Sequence, residues 1–191
     1  MRTIEKKIYS VDELEDKAFQ KAYDSWSASQ EFFDEFIVDD LLEELKNLGV
    51  EDPKIRYSGF SSQGDGASFT GRICDVGAFL GRELTRHEKF VLEYSSVRFV
   101  ANSSRYYHEN TVTTDFNFAY SHTFDNQLSK LERIACELES KINDKRVDIC
   151  CEFYRRLEND YNYQMSKESF KEYCESNETE FYNNGEQYYY D

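Results

Sequence analysis

The sequence predicts an α+β domain: N-terminal helices, a four- to five-stranded, largely antiparallel sheet built from two hairpins, and a long C-terminal helix. Three observations predict it. Apolar residues recur at helical spacing ahead of Gly49, two pairs of alternating segments follow, and a seven-residue apolar pattern then runs from Leu128 to Ile149.

In chain order, "TIEKKIYS" (3–10) reads as a short first strand, with Ile4 and Ile8 separated by charge. Ser10 then caps a helix, with Glu13 three positions on as its capping-box partner. Leu14, Ala18, Ala22 and Trp26 form that helix's apolar stripe, and Phe33, Phe36, Ile37, Leu41, Leu45 and Leu48 form the stripe of a second helix over about 31–48. Gly49 ends it and the lone proline, Pro53, follows. "KIRYSGFSS" and "ASFTGRIC" make the first hairpin, placing Phe60 opposite Phe69. Residues 75–92 are helical in part, weakened by Gly77 and Gly81. "SVRFVANSSRYYH" and "TVTTDFNFAYSH" make the second hairpin, turning at Glu109-Asn110. With Tyr107 opposite Val112, Ala101 faces Phe118 and Phe99 faces Tyr120. Arg98, Asn102, Tyr106, His108, Thr113, Asp115 and Asn117 take the other face, and a one-residue slip would exchange the two.

A long helix spans about Asp125 to Gln164. Its row Leu128, Leu131, Ala135, Leu138, Ile142, Ile149 is interrupted by Lys145, where another apolar residue is due. So broken a heptad favours packing on the sheet over a coiled coil, and leaves a homodimer through this helix open. Ser166 opens a short helix to about Glu175. Residues 1–175 form a single domain with no linker, and 176–191 form an acidic, Tyr-rich tail expected to be partly disordered.

Composition supports a folded chain. Hydrophobic residues are only 39%, but fifteen Tyr and fifteen Phe supply large buriable surfaces against 32% charged residues. Five cysteines (74, 136, 150, 151, 174) are odd in number and hold no C-x-x-C pair, which implies reduced thiols and an intracellular, cytoplasmic protein. The N-terminus lacks a signal peptide's apolar core, and no stretch approaches the ~20 apolar residues of a membrane span. The net charge is −15. Residues 11–45 hold twelve acidic and two basic side chains, and 167–191 hold seven and two, so the acid gathers towards the two ends. Direct binding to a nucleic-acid backbone needs a basic surface and is disfavoured.

Four of the eight glycines fall in "GFSSQGDGASFTG" (59–71). A dinucleotide fingerprint fails at Phe69, where its third glycine is due, and the segment that follows alternates like a strand; the Gly-Lys-Ser/Thr ending of a Walker loop is absent. Gly64-Asp65-Gly66 suits a tight hairpin turn, yet Gln63, Asp65 and Ser68 are polar groups that a bare turn does not need. The three histidines, His87, His108 and His122, show no helical metal-site spacing, and the sequence implies neither metal nor cofactor. His108, beside Glu109 and after Tyr107, has the makings of a general base. Asp65 and His108 are therefore the catalytic candidates, against the plainer reading of a turn aspartate and a solvated histidine.

The acidic helices carry a second candidate site. Asp12, Glu13, Glu15, Asp16, Asp24, Glu31, Asp34, Glu35, Asp39, Asp40, Glu43 and Glu44 recur over two adjacent helices. Sharing one surface, they would imitate a phosphate backbone and steer a basic partner. The same residues also suit the solvated faces of two ordinary amphipathic helices.

Glu13-Leu14, Ala18 and Lys21-Ala22, then Phe60 to Phe69, then Tyr106, Tyr107 and His108 resemble a largely uncharacterised family of small phage and prophage proteins carrying S-Q-G-D-G-A-x-F, some of them labelled antitoxin-like. The resemblance covers about residues 8–120. It implies a phage accessory protein in a bacterial host cell. On that reading the chain works by protein–protein binding, as an anti-CRISPR or anti-restriction inhibitor of a host protein with a basic nucleic-acid-binding surface, without direct nucleic-acid or membrane contact. Two alternatives stand beside it: a small hydrolase or nucleotide-binding protein using Gln63, Asp65, Ser68, Tyr107 and His108, and an antitoxin-like binder of a cognate toxin.

Overall fold

Alternating residues between Val50 and Phe118 build one four-stranded antiparallel sheet, its strands β1 (Val50–Tyr57), β2 (Ala67–Ile73), β3 (Ser95–Ala101) and β4 (Val112–Phe118) paired in sequence order. A computed structural model of the chain describes residues 7–120 and 128–189. The predicted strand at Thr3–Lys6, the ends of the second hairpin and the long helix within 121–127, and His122 lie outside the described residues. Around the sheet come helices α1 (Asp16–Ser27), α2 (Glu35–Asn47), α3 (Val76–Leu80), α4 (Arg86–Glu93), α5 (Leu128–Gln164) and α6 (Lys167–Ser176). The predicted α+β class stands, long C-terminal helix included. By contacts the chain divides into two units, Met1–Phe33 with Asn159–Asp191, and Asp34–Glu158.

Within Asp34–Glu158, one face of the sheet is covered by α5, which the core row Leu131, Ala135, Leu138, Ile142, Ile149, Cys150, Phe153 and Leu157 buries. Phe69 on β2 meets Phe99 on β3 at 5.1 Å and Phe153 on α5 at 6.1 Å, between ring centroids. The apolar row that a self-paired helix would use is thus buried against the chain's own core. At Lys145, where the heptad breaks, the inward position passes to Arg146, 3% exposed. β1 is an edge strand, which is why it tolerates Pro53: the register shifts between Glu51 and Lys54, and Pro53 sits in that irregularity. Leu41 and Leu45 of α2 are fully buried.

Between β2 and β3 the chain forms α3 and α4. Asp75 caps α3 by accepting from the Ala78 amide at 2.9 Å, and Gly81, at φ +62°, ends it. Thr85 and Glu88 form a capping box on α4. Glu88, 8% exposed, also receives two bonds from Arg82, at 2.7 and 3.1 Å. This pairing with Arg82, opposed in part by burial and helped by Thr85, pulls the Glu88 carboxyl down to about 2.

Two predicted registers are corrected. Ile55, not Phe60, pairs with Phe69. In the second hairpin Ala101 pairs with Val112 and Ser95 with Phe118, rather than Ala101 with Phe118, so residues 102–111 are a connection and not strand. The slip is six residues, an even number, so the predicted faces survive: Val97 and Phe99 still look into the core, and Arg98 and Asp115 away from it.

In the other unit, Ser10 and Glu13 form the predicted capping box, but it closes a 3-10 turn, Val11–Glu13; Leu14 is extended (φ −72°, ψ 136°), and α1 begins only at Asp16. Over the described part of the predicted strand, residues 7–10, Tyr9 makes a single bridge to Phe181. Val11, Ala22, Phe170, Cys174 and Phe181 are its buried cluster. The tail joins that cluster through Phe181, 3% exposed. Gly185 (φ +80°) lies so close to α1 that an added Cβ would fall 2.1 Å from the Ala18 carbonyl oxygen.

Candidate functional site

The glycine-rich loop and the Tyr-Tyr-His loop meet. Gly66 abuts His108 so tightly that a Cβ there would lie 2.5 Å from the His108 Cβ and 2.6 Å from its Cα. Gly64, at φ +98°, packs beneath the Tyr106 ring. Here glycine is required by contact at one position and by backbone conformation at the other. The hairpin is extended one step past its strands: the Ser58 amide donates to the Gly66 carbonyl (3.0 Å), and the Gly66 amide donates to Ser58 Oγ (3.1 Å). Phe60 is stacked between Tyr57 and Tyr154, at 5.8 and 5.7 Å.

The polar groups nominated from sequence serve this junction. Asp65 Oδ2 accepts from the Ser61 and Ser62 amides at 3.0 and 2.6 Å, which answers why a tight turn carries an aspartate. Ser68 is 4% exposed, its hydroxyl 3.5 Å from that of Thr111, which donates to the His108 carbonyl at 2.7 Å. His108 Nδ1 accepts from the Asn110 amide at 3.2 Å and so caps a 3-10 turn, Glu109–Thr111. Arg56 lies over the Tyr107 ring at 5.8 Å. Gln63 is exposed. Asp65 and His108 thus sit in adjoining loops, yet each accepts from backbone amides, and among the described residues no nucleophile–base relay connects them. Among the described residues no group of three or more His, Cys, Asp and Glu is arranged to hold a metal.

The twelve carboxylates sort by what they touch. Five are engaged: Asp12 with Lys171 (2.6 Å), Glu13 in the capping box, Asp24 with the Gln20 amide (2.6 Å), Asp34 with the Tyr57 hydroxyl, and Glu44 with Arg156 (2.6 Å). Burial and then Asp34 push the Tyr57 phenol up. Among the described residues the other seven, Glu15, Asp16, Glu31, Glu35, Asp39, Asp40 and Glu43, are exposed with no side-chain hydrogen bond or ion pair. The set also divides between the two units, with Asp12 to Glu31 in one and Asp34 to Glu44 in the other.

On α2 the free acids form one outward face. Glu35, Asp39 and Glu43 follow at four-residue steps, about 6 Å apart along the axis, with Asp40 beside them. Phe36 lies in that face at 75% exposure, a correction to its predicted core position. Periodicity misplaced it because residues 36 and 37 both fit the stripe, and only Ile37 turns inward. Like charges at i,i+4 weaken a helix by a few tenths of a kcal/mol per pair, and α2 has a single cation, Lys46, in its last turn.

Residues 33–167 match a family model described as a domain of unknown function, DUF8835. No curated protein matches the chain, and no solved structure does.

Proposed function

The chain belongs to the DUF8835 family, whose description carries no activity, and we propose that it acts by protein–protein binding through the outward face of α2. One observation carries this reading: Glu35, Asp39, Asp40 and Glu43 stand exposed and unpaired around an exposed phenylalanine. Carboxylates without internal partners attract a basic surface over the screening length, and an aromatic among them supplies the apolar anchor that long-range charge lacks. The fitting partner is a protein whose basic groove otherwise holds nucleic acid. The resemblance to phage accessory proteins suggests a host defence protein of that kind. The glycine-rich and Tyr-Tyr-His loops serve, on this reading, as the scaffold of the same unit.

The test is a triple reversal, Glu35→Lys with Asp39→Lys and Glu43→Lys. The wild-type chain is expected to capture a basic protein from bacterial lysate at low salt and to release it at about 1 M salt, where screening acts within ~3 Å. Single-stranded DNA should displace that partner, and the triple variant should not capture it. Capture that survives the reversal, or that DNA leaves untouched, overturns the reading.

A further inference from the structure

Among the described residues, Arg146 is a charge without a counter-ion. It is 3% exposed on α5, its Nη1 donating to the Glu109 carbonyl (2.6 Å) and its Nη2 to Asn143 Oδ1 (2.9 Å), while its Nε has no partner among the described residues. Both acceptors are neutral. A guanidinium carries five N–H donors, so most of its hydrogen-bonding capacity is unmatched. Among the described residues no carboxylate lies within ion-pair distance of it. Fully buried arginines are almost always paired, because an uncompensated charge in a poorly solvated site is costly.

The open space beside Arg146 is a cleft of about 490 Å³, lined also by Thr113, Thr114, Ser140 and Asn143. Asn143 Oδ1 already accepts from Arg146 and from Thr114 (3.2 Å), which leaves the Asn143 amide N–H groups to donate. Ser140 is exposed, with no side-chain bond among the described residues. Glu139 is the one carboxylate in the lining, and it does not pair with Arg146. A buried cation, a spare amide and a spare hydroxyl therefore converge on one cleft large enough for a small organic ligand. We infer that this cleft binds an oxyanion, a phosphate or phosphomonoester, with Arg146 supplying the charge and Asn143 and Ser140 the orienting donors. The field of a guanidinium shielded from water reaches such a ligand far less screened than that of a surface arginine. Glu139 opposes a second and third negative charge, so a single phosphate group fits better than a polyphosphate.

Calorimetric titration of the intact protein with inorganic phosphate, and separately with adenosine monophosphate, tests this, alongside thermal unfolding in phosphate and in chloride at matched ionic strength. Phosphate should raise the midpoint relative to chloride. Tighter binding of the monophosphate would identify a nucleotide as the ligand's source, and equal binding would identify free phosphate. Ser140→Asp places a carboxylate in the cleft from an exposed helical position and should weaken phosphate binding at least about tenfold with the fold intact. Glu139→Gln should tighten it. Equal midpoints in phosphate and chloride, or an unchanged affinity in Ser140→Asp, would overturn the inference.

Discussion

The two units of this chain are held by different means. In Met1–Phe33 with Asn159–Asp191, segments from both ends of the sequence gather on one ring. Phe170, 1% exposed, has Phe19, Tyr23, Trp26 and Phe181 within 5.2–6.2 Å between centroids. Exposed ion pairs, Asp12–Lys171 and Lys21–Glu186, add little to that. In Asp34–Glu158 the core is distributed: Leu41, Leu45, Phe69, Phe79, Leu138, Ile142 and Phe153 are each at most 1% exposed, on a sheet and three different helices. A distributed core absorbs the loss of one side chain by partial collapse; a core with one centre does not. The functional candidates, α2's acidic face and the Arg146 cleft, both lie in the distributed unit, where an exposed, mutually repelling surface is carried by a broad base.

Phe170→Ala is the strongest way to break this contrast, with an expected loss of about 3–5 kcal/mol. The single tryptophan, Trp26, sits in the same unit and reports on it directly. Its fluorescence transition should move to much lower temperature, while the far-UV circular dichroism, fed by α2 to α5 and the sheet, keeps a second, later transition. Coincident transitions in the variant would show one cooperative block and end the distinction.

Gly66→Ala addresses the distributed unit at its tightest junction. The new Cβ would drive into the His108 backbone and force the two loops apart, at a cost of about 1–3 kcal/mol. Gly59→Ala is the control, since its Cβ would meet only the Asp65 carboxylate at an ordinary 3.6 Å, and a change within about 0.5 kcal/mol is expected. Here the dichroism transition should move and the Trp26 transition should not. Equal effects from both glycines would mean that the loop contact is not what the motif's second glycine serves.

Local signals were read well from the sequence, and long-range ones in proportion to their parity. The Ser166 cap of α6, the Thr85–Glu88 stretch as part of a helix, and the alternation of β2 to β4 follow from residues within one or two turns of each other. The hairpin register missed by six residues because Ala101, Tyr107 and Phe118 satisfy the alternation at several offsets. The faces held because only odd slips exchange them. The capping box at Ser10 was legible, but not that it closes a 3-10 turn, since Leu14 breaks out to an extended conformation two residues before α1. Arg146 was invisible to an apolar pattern: the broken heptad at Lys145 marked the place, and an inward arginine one residue on was the cause. Phe181 was hidden in the same way, one buried ring in a tail that otherwise reads as polar residues and tyrosines. The structure places Asp65 and His108 in adjoining loops, but residue type alone does not reveal that both accept from backbone amides.

The smallest expected effect sharpens the comparison through pH. Glu88 is the buried carboxylate of the distributed unit, held by Arg82 and by the Thr85 amide (2.8 Å), with its carboxyl at about 2 against an ordinary 4.5. A carboxyl depressed in the folded state stabilises fully above the unfolded value and loses that contribution as pH falls through the folded one. Glu88→Gln keeps an acceptor for Arg82 and for the α4 cap but not the charge, so what it removes is the part of the stability that depends on ionisation. The gap between wild type and variant should be flat above about pH 5, narrow between about 4.5 and 2, and close below that, where wild-type Glu88 is itself neutral. It is read as the difference in dichroism midpoints at matched ionic strength. The Trp26 midpoint should show no such narrowing, because no carboxylate comparably buried and paired stands among the described residues of its unit. A gap that stays open at pH 2, or one that Trp26 reports equally, would place Glu88's contribution outside the Arg82 pairing, or join the two units into one cooperative fold.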